Sequence, residues 1–382
     1  MASPIRAITR GPRHHFFGYY DMRPWSADGR YHLCLEVGFM DRPPKADDTA
    51  AVGVVDLKDG NRFVPLTHTR AWNFQQGAML HWAPGQPGTV LFNDRRDGRF
   101  VCVARGMAGG GQRIIGPAIG DLSDDGRVGA TLNFARVAVC RPGYGYAGLD
   151  DPFAAREVTD QDGLGILDMA TGQHRIVLSF ADVARLEAAN PRRYEGMMYF
   201  NHVLLNPSGT RAAIIVRWKK GDVWWNTQFW TVGTDGSSPR RLLEGPKVSH
   251  FDWKDDRTLI AWAGVGGKLA VYEFEDADEP HPRPILADAI RQDGHVAFSP
   301  DRRWVCTDTY PDAAGYRGLA VVEYATGRVV ELGRYYSPTV PGMAEIRCDF
   351  HPSWSDDGRR LAIDGMHEGT RQRYVVELGE LT

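Results

Sequence analysis

Four histidines recur at the same place in successive copies of one sequence repeat. The copies read HVLLNPSG from His202, HFDWKDDR from His250, HVAFSPDR from His295 and HPSWSDDG from His351. In each copy an apolar residue follows three positions after the histidine, and a polar turn comes next. A repeat protein stacks copies of one supersecondary unit, so equivalent positions gather around a common axis. The chain is therefore constrained to a repeat architecture.

The repeat extends beyond the histidine copies, to PWSADGRYHLCL, HWAPGQPGTVLF and DLSDDGRVGATL. Its apolar anchor positions lie about 55 residues apart on average, near the length of a four-stranded propeller blade. The seven anchors are Trp25, Trp82, Leu122, Leu205, Trp253, Phe298 and Trp354. Alternating apolar residues before Gly-containing turns indicate antiparallel hairpins. We predict an all-β fold, a seven-bladed β-propeller of four-stranded antiparallel blades.

The last copy is too short for four strands, since only RRLAIDG and RYVVEL follow its anchor. The N-terminal IRAIT is expected to supply the missing strand and close the ring, which removes open sheet edges. Between blades three and four the chain has an insertion at about 141–198, where SFADVARLEAANPRR predicts a helix capped by Ser179. We expect one propeller domain over residues 1–382 with this small helical insertion.

Composition limits the partners. Charged residues make up 24% of the chain, the net charge is −3 and no basic block occurs, so no nucleic acid is expected. No run of 18 apolar residues predicts a membrane span. The N-terminal residues lack an apolar signal core, which predicts a cytoplasmic protein, or a periplasmic or secreted one if a signal was removed. Five scattered cysteines fit a reduced compartment.

The histidine positions are expected on the innermost strands, near one mouth of the channel. Imidazoles gathered there suit a metal or an anion. Cys348 lies three residues before the last histidine, and a thiolate with imidazoles favours zinc over manganese. We predict a divalent-metal site, with Asp349 and Asp293 as partners that orient an imidazole. Its predicted ligands are His250, His295, Cys348 and His351. The alternative is that each histidine fills a polar slot in its blade and that Cys348 is a small buried apolar residue.

Three other segments carry candidate substrate-binding residues. HHFFGYYD and the Gly-rich RPGYGYAG place tyrosines and an arginine near the repeats, and WNFQQGAM places paired amides before the second anchor. The tyrosines are also compatible with the core, and the amides with turn hydrogen bonds. The candidates are Tyr19, Tyr20, Gln76, Arg141, Tyr144 and Tyr146.

The segments HHFFGYYDMRPWSADGR, WNFQQGAMLHW, YFNHVLLNPSGTR and RCDFHPSWSDDG resemble the seven-bladed propeller polysaccharide lyases of the ulvan lyase type. VSHFDW, DGHVAFSPD and HPSWSDDG are more distantly similar to the oligogalacturonate lyases. The resemblance covers most of the chain. It departs from the manganese-type pattern at Ile346 and Asp349, which stand where that pattern has Gln and His.

The resemblance implies β-elimination at a uronic acid, in which a base removes the proton next to a carboxylate that a cation or metal neutralises. By motif position it implies Tyr199 as base and acid, with His202 and Arg217 as carboxylate neutralisers. Through the oligogalacturonate lyases it also implies His250 as a base. We therefore expect a metal-containing lyase acting on acidic oligosaccharides or polysaccharides. The alternative is a non-catalytic, metal-stabilised propeller that binds a saccharide or a protein.

Overall fold

The fold consists of seven four-stranded antiparallel sheets, which make the chain a seven-bladed β-propeller. The computed structural model describes residues 5–190, 195–221, 223–245, 247–338, 344–379 and 381. Contacts divide the chain into two compact units. The first comprises Met1–Arg95, Val103–Arg113 and Leu286–Thr382, and the second comprises Arg96–Cys102 and Ile114–Ile285.

The N-terminal strand β1 (Ile5–Ala7) precedes the first three blades. Blade 1 contains β2 (His14–Phe16), β3 (Tyr31–Val37), β4 (Ala50–Asp56) and β5 (Arg62–Thr69). Blade 2 contains β6 (His81–Trp82), β7 (Thr89–Arg96), β8 (Arg99–Gly106) and β9 (Gln112–Pro117). Blade 3 contains β10 (Ile119–Leu122), β11 (Val128–Thr131), β12 (Gly163–Asp168) and β13 (His174–Ser179).

The remaining blades follow in chain order. Blade 4 contains β14 (Met197–Leu205), β15 (Arg211–Lys220), β16 (Val223–Gly233) and β17 (Arg240–Gly245). Blade 5 contains β18 (Val248–Trp253), β19 (Thr258–Val265), β20 (Lys268–Glu275) and β21 (Arg283–Ile285). Blade 6 contains β22 (Val296–Phe298), β23 (Trp304–Asp308), β24 (Tyr316–Glu323) and β25 (Val329–Tyr336). Blade 7 contains β26 (Ser353–Trp354), β27 (Arg360–Gly365) and β28 (Gln372–Glu377).

Blade 7 takes its fourth strand from the N-terminus, as the sequence predicts. Strand β1 pairs antiparallel with β28, with Ile5 opposite Val376 and Ala7 opposite Tyr374. A sheet edge left without this strand would expose unpaired N–H and C=O groups. The pairing joins residues from opposite ends of the sequence and covers that edge.

Three of the four anchor tryptophans make the same hydrogen bond to a neighbouring blade. Within the second unit, the indole Nε1 of Trp253 donates to the carbonyl of Leu204, 3.1 Å away. Within the first unit, Trp354 donates to Ala297 at 3.0 Å, and Trp82 donates to the carbonyl of Pro24 at 3.0 Å. Each acceptor is the residue immediately before the anchor of the preceding blade. The anchors therefore set the register between blades as well as filling the core.

The extra chain comes in two segments: the first joins strands β11 and β12 within blade 3, and the second follows β13 and leads into blade 4. Strands β12 and β13 lie inside the predicted insertion at 141–198. The second segment forms the predicted helix, α2 (Phe180–Leu186), and Ser179 and Asp182 cap it reciprocally. The first segment begins with a helix that the sequence analysis did not predict, α1 (Phe134–Cys140). None of the helices in the described part of the chain is long and apolar enough to span a bilayer.

The hydrogen bond of the anchor indole predicts that its N–H contributes measurably to the free energy of unfolding. Trp253→Phe keeps an aromatic ring in the core but leaves the Leu204 carbonyl without its donor, so we expect a loss of about 1 kcal/mol in unfolding free energy. Trp253→Ala also leaves a cavity and is expected to cost about 3–5 kcal/mol. Urea unfolding followed by tryptophan fluorescence measures both changes.

Trp262 supplies a matched control in the same blade. It is as buried as the anchor, 3% exposed, but its Nε1 has no hydrogen-bond partner among the described residues. Trp262→Phe should therefore cost less than Trp253→Phe. Equal losses for the two variants would contradict a specific role for the anchor hydrogen bond.

Candidate functional site

Two of the four repeat histidines, His202 and His250, coincide with breaks in the regular strand pairing. In blade 4 the register shifts between Asn201 and Leu204, and in blade 5 it shifts between Val248 and Phe251. A bulge of this kind redirects a side chain and bends its strand. His202 sits at the first bulge with φ of +56°. Such a backbone conformation is uncommon and costly for a residue other than glycine.

The second unit gathers five of the predicted site residues into one group, which we call the arginine–tyrosine cluster: Arg141, Tyr144, Tyr199, His202 and Arg217. Tyr199 and Arg217 are paired residues on strands β14 and β15. The Arg141 guanidinium lies 4.7 Å from the Tyr144 ring centre. That ring meets the imidazole of His202 edge-on, with the ring centres 5.4 Å apart. The cluster thus combines two permanent cations with groups that can carry a proton.

Tyr199 is the most deeply buried member of the cluster, with no exposed surface. Burial raises the pKa of Tyr199 above its usual value, although the positive charges of Arg217 and Arg141 act in the opposite direction. The phenol is therefore protonated at neutral pH. His202, Arg141 and Arg217 are only partly buried and form the accessible side of the cluster.

A buried ion network holds the first inserted segment against this cluster. Arg136 of α1 pairs with Asp151 at 2.8 Å and lies 3.4 Å from Asp162, and all three side chains are at most 5% exposed. Its Nη1 also donates to the carbonyl of Met198, next to Tyr199 on β14. Since Arg141 directly follows α1, this network fixes the helix that carries one of the two cations.

Arg217 also connects blades 4 and 5. Its Nη2 donates to the carbonyl of Val248 at 2.9 Å, and its Nη1 lies 3.4 Å from the Asn201 side-chain oxygen. His250, two residues beyond Val248, is 8% exposed, and its Nδ1 lies 3.2 Å from the Ser249 hydroxyl. Its predicted role, as a metal ligand or a base, stays a prediction.

The first unit contains a second group, which we call the paired-histidine cluster: Tyr19, Tyr20, His295 and His351. The imidazoles of His295 and His351 have ring centres 4.5 Å apart, inclined at 62°. Tyr20 lies 4.9 Å from His295, and Tyr19 lies 5.4 Å from His351. All four side chains are at most 5% exposed. His351 shares the left-handed backbone of His202, with φ of +45°.

Asp308, which the sequence analysis did not single out, orients His295. Both of its carboxylate oxygens lie 2.9 Å from the Nδ1 of His295, and Oδ1 also accepts the His295 backbone N–H at 2.8 Å. Asp349, which the sequence predicts to orient an imidazole, forms ion pairs with Arg317 at 2.8 Å and Arg347 at 2.7 Å. These arginines help to lower the pKa of Asp349 despite the opposing effect of burial.

Cys348 is fully buried, with its sulfur 4.0 Å from the carbonyl oxygen of Asp349. Burial raises the pKa of this thiol to about 11, so a thiolate is not available near neutral pH without a metal to displace its proton. Within the described residues, no group of three or more His, Cys, Asp or Glu side chains has the arrangement of a metal site. The two imidazoles of the paired-histidine cluster are fewer donors than zinc or manganese requires.

Two candidate substrate-binding residues lie in the interior. Tyr146 stacks on Phe134 with ring centres 4.4 Å apart and has no exposed surface. Gln76 is 8% exposed, and its backbone N–H donates to the Asn73 side chain in a tight turn. Tyr144, by contrast, contacts His202 directly. We therefore build the candidate site without Tyr146 and Gln76.

Comparison with known proteins supports the fold. No protein-family model and no curated protein matches the sequence. An oligogalacturonate lyase solved in complex with manganese is similar over 99% of this chain and 94% of its own, with a TM-score of 0.65 and 14% identity. An oligogalacturonate lyase from Vibrio parahaemolyticus gives the same coverage with a TM-score of 0.64 and 12% identity.

A puromycin hydrolase matches 94% of this chain over 50% of its own length, with a TM-score of 0.52 and 13% identity. At such identities the likeness establishes the propeller fold and leaves the chemistry to the residues of the site. The predicted resemblance to the oligogalacturonate lyases is therefore supported at the level of the fold, and the resemblance to the ulvan lyases stays a prediction.

The left-handed backbone at His202 predicts an inverted order of stability for two small substitutions. Both His202→Ala and His202→Gly remove the contact with Tyr144, but only glycine adopts a positive φ without strain. We expect the glycine variant to be more stable than the alanine variant by about 1 kcal/mol, measured by chemical unfolding.

The neighbouring position provides the control. Asn201 lies on the same strand without a positive φ, so Asn201→Gly should be less stable than Asn201→Ala. If the alanine variant were more stable than the glycine variant at both positions, the backbone at His202 would carry no strain.

Proposed function

We propose that the protein is a lyase that cleaves uronic-acid-containing oligosaccharides or polysaccharides by β-elimination. The observation that carries the proposal is the arginine–tyrosine cluster, in which Arg141 and Arg217 accompany an accessible imidazole and a protonated phenol. The propeller fold shared with two oligogalacturonate lyase structures is compatible with this chemistry.

The chemistry explains why cations and a base must lie together. The proton at C5 of a uronic acid is weakly acidic because its removal puts negative charge onto an existing carboxylate. Arg141 and Arg217 hold that carboxylate and stabilise the added charge. His202 accepts the C5 proton, the C4–O bond breaks with its electron pair on the leaving oxygen, and a C4–C5 double bond forms. The leaving oxygen takes its proton from solvent water.

The burial of Tyr199 alters the roles implied by the sequence resemblance. A phenol whose pKa is raised is a poor base at neutral pH and keeps its proton. We therefore assign the base to His202, which is partly exposed. Tyr199 serves as the protonated group beside Arg217, where it limits the positions that this side chain can take.

Substitutions in the cluster test the proposal. His202→Ala is expected to lower kcat by about 10²–10⁴-fold, because it removes the base. Arg217→Gln is expected to lower it by about 10²–10³-fold, because it removes charge stabilisation. Tyr199→Phe, which keeps the ring and removes only the hydroxyl, should lower kcat far less than His202→Ala. The readout is ultraviolet absorbance of the unsaturated product from polyuronide fragments.

Exposed residues of the same types serve as controls: His281→Ala and Arg113→Ala should leave the rate unchanged. Circular dichroism and thermal melting check that each variant is folded. Absence of product from ulvan, pectate, alginate and glycosaminoglycan fragments would contradict a lyase. Binding of a fragment without product would instead support the alternative, a non-catalytic saccharide-binding propeller.

A resident divalent metal, zinc or manganese, is a separate proposal, in which the two imidazoles of the paired-histidine cluster would supply two ligands and further donors would have to complete the site. Elemental analysis of the purified protein should then find metal, and His351→Ala should lose it. Asp308→Asn, which changes only the group that orients His295, should weaken metal binding by about 10–100-fold. Metal that persists in both variants would place the ion elsewhere.

A further inference from the structure

Blade 6 contains a cavity of about 450 Å³ that none of the candidate residues explains. It lies between the loop 286–292, the turn 309–315 and strands β24 and β25. Its volume is within the range of small-ligand sites, which runs from about 300 to 1,000 Å³. The polar and aromatic lining residues that matter most are Arg291, Asp308, Tyr310, Tyr316, Glu331 and Arg334.

Two tyrosines at this cavity keep much of their surface accessible. Tyr310 is 38% exposed and Tyr316 is 42% exposed, which is unusual for large rings in this protein. Guanidinium groups support both rings, with Arg317 5.8 Å from the Tyr310 centre and Arg334 5.9 Å from the Tyr316 centre. A supported aromatic ring with a hydroxyl edge offers both an apolar face and a hydrogen-bonding group. That combination suits the mixed apolar and hydroxylated faces of a sugar ring.

The charges around the cavity disfavour an anion. Three carboxylates line it, against two guanidinium groups. Arg334 forms an ion pair with Asp312, and Arg291 donates from Nε to the carbonyl of Asp288. Glu331 is exposed at the rim. A uronate would meet no surplus of positive charge here, whereas a neutral sugar can donate its hydroxyls to the carboxylates.

We propose that this cavity is a binding subsite for a neutral sugar residue. The inference rests on the proposed function only because it takes the ligand to be a saccharide. Binding at this subsite does not require that the protein cleave the saccharide. Asp308, whose carboxylate orients His295, is also among the residues that line this cavity.

The test measures binding without turnover. Saturation-transfer NMR and calorimetry on the full chain use neutral monosaccharides and disaccharides, with galacturonic and glucuronic acid in parallel. We expect the neutral sugars to bind more tightly than the uronic acids. Tyr316→Ala should weaken neutral-sugar binding by about tenfold or more, because it removes the stacking face. Leu269→Ala, at an exposed apolar position in blade 5, is the control and should change nothing.

A second variant tests the charge argument. Glu331→Gln removes one rim carboxylate and should improve uronate binding relative to neutral-sugar binding. No saturation transfer from any neutral sugar, unchanged affinity in Tyr316→Ala, or equal affinity for uronic and neutral sugars would each overturn the proposal. Failure of the lyase assay with retained neutral-sugar binding would reject the proposed function and leave this subsite in place.

Discussion

The hydrogen bond from an anchor indole to the preceding blade sets the register of the blades that carry the repeat histidines. Trp253 reaches back to Leu204, and Trp354 reaches back to Ala297. In each case the residue that accepts the hydrogen bond comes one position before the anchor of its own blade and two positions after the repeat histidine of that blade. The same bond therefore fixes the register of the blades that carry His202 and His250, and of the blades that carry His295 and His351. For the second pair the consequence is direct contact between the two imidazoles.

The register between blades does not by itself turn a histidine side chain out of its blade. That change of direction needs a local change in the backbone of the histidine. His202 and His351 occupy equivalent repeat positions and both have a positive φ. Conformations of this kind cost about 1–3 kcal/mol and persist only when surrounding contacts hold them. Glycine would remove the strain but would also remove the imidazole. That histidine stands at two such positions is best understood if its side chain is needed there.

Periodicity predicted those parts of the molecule that depend on local pattern. The missing fourth strand of the last repeat copy was enough to predict β1, and Ser179 was enough to predict the start of α2. Helix α1 escaped prediction because it is only seven residues long, and the Arg136 network that holds it in place depends on carboxylates in the loop after the helix, at Asp151 and Asp162. Long-range pairing of that kind leaves no periodic signal in the sequence.

The candidate sites divide along the same line. The tyrosines and arginine of RPGYGYAG could be identified as candidates, but only packing separates Tyr144, which contacts His202, from Tyr146, which stacks on Phe134. Asp308 was missed because it lies on the strand after His295, whereas the expected partner Asp349 is held by Arg317 and Arg347. Sequence spacing could indicate which residue types lie near one another. The direction of each side chain decides which of them can take part in a site.

The two kinds of polar lining place different demands on a ligand. Arg141 and Arg217 supply positive charge beside His202, which a uronate needs if its C5 proton is to leave. In blade 6 the guanidinium of Arg334 is already balanced by Asp312, and the carboxylate of Asp308 serves His295. Under the two proposals, the lining around His202 suits an acidic sugar residue, and the lining of the blade 6 cavity suits a neutral one.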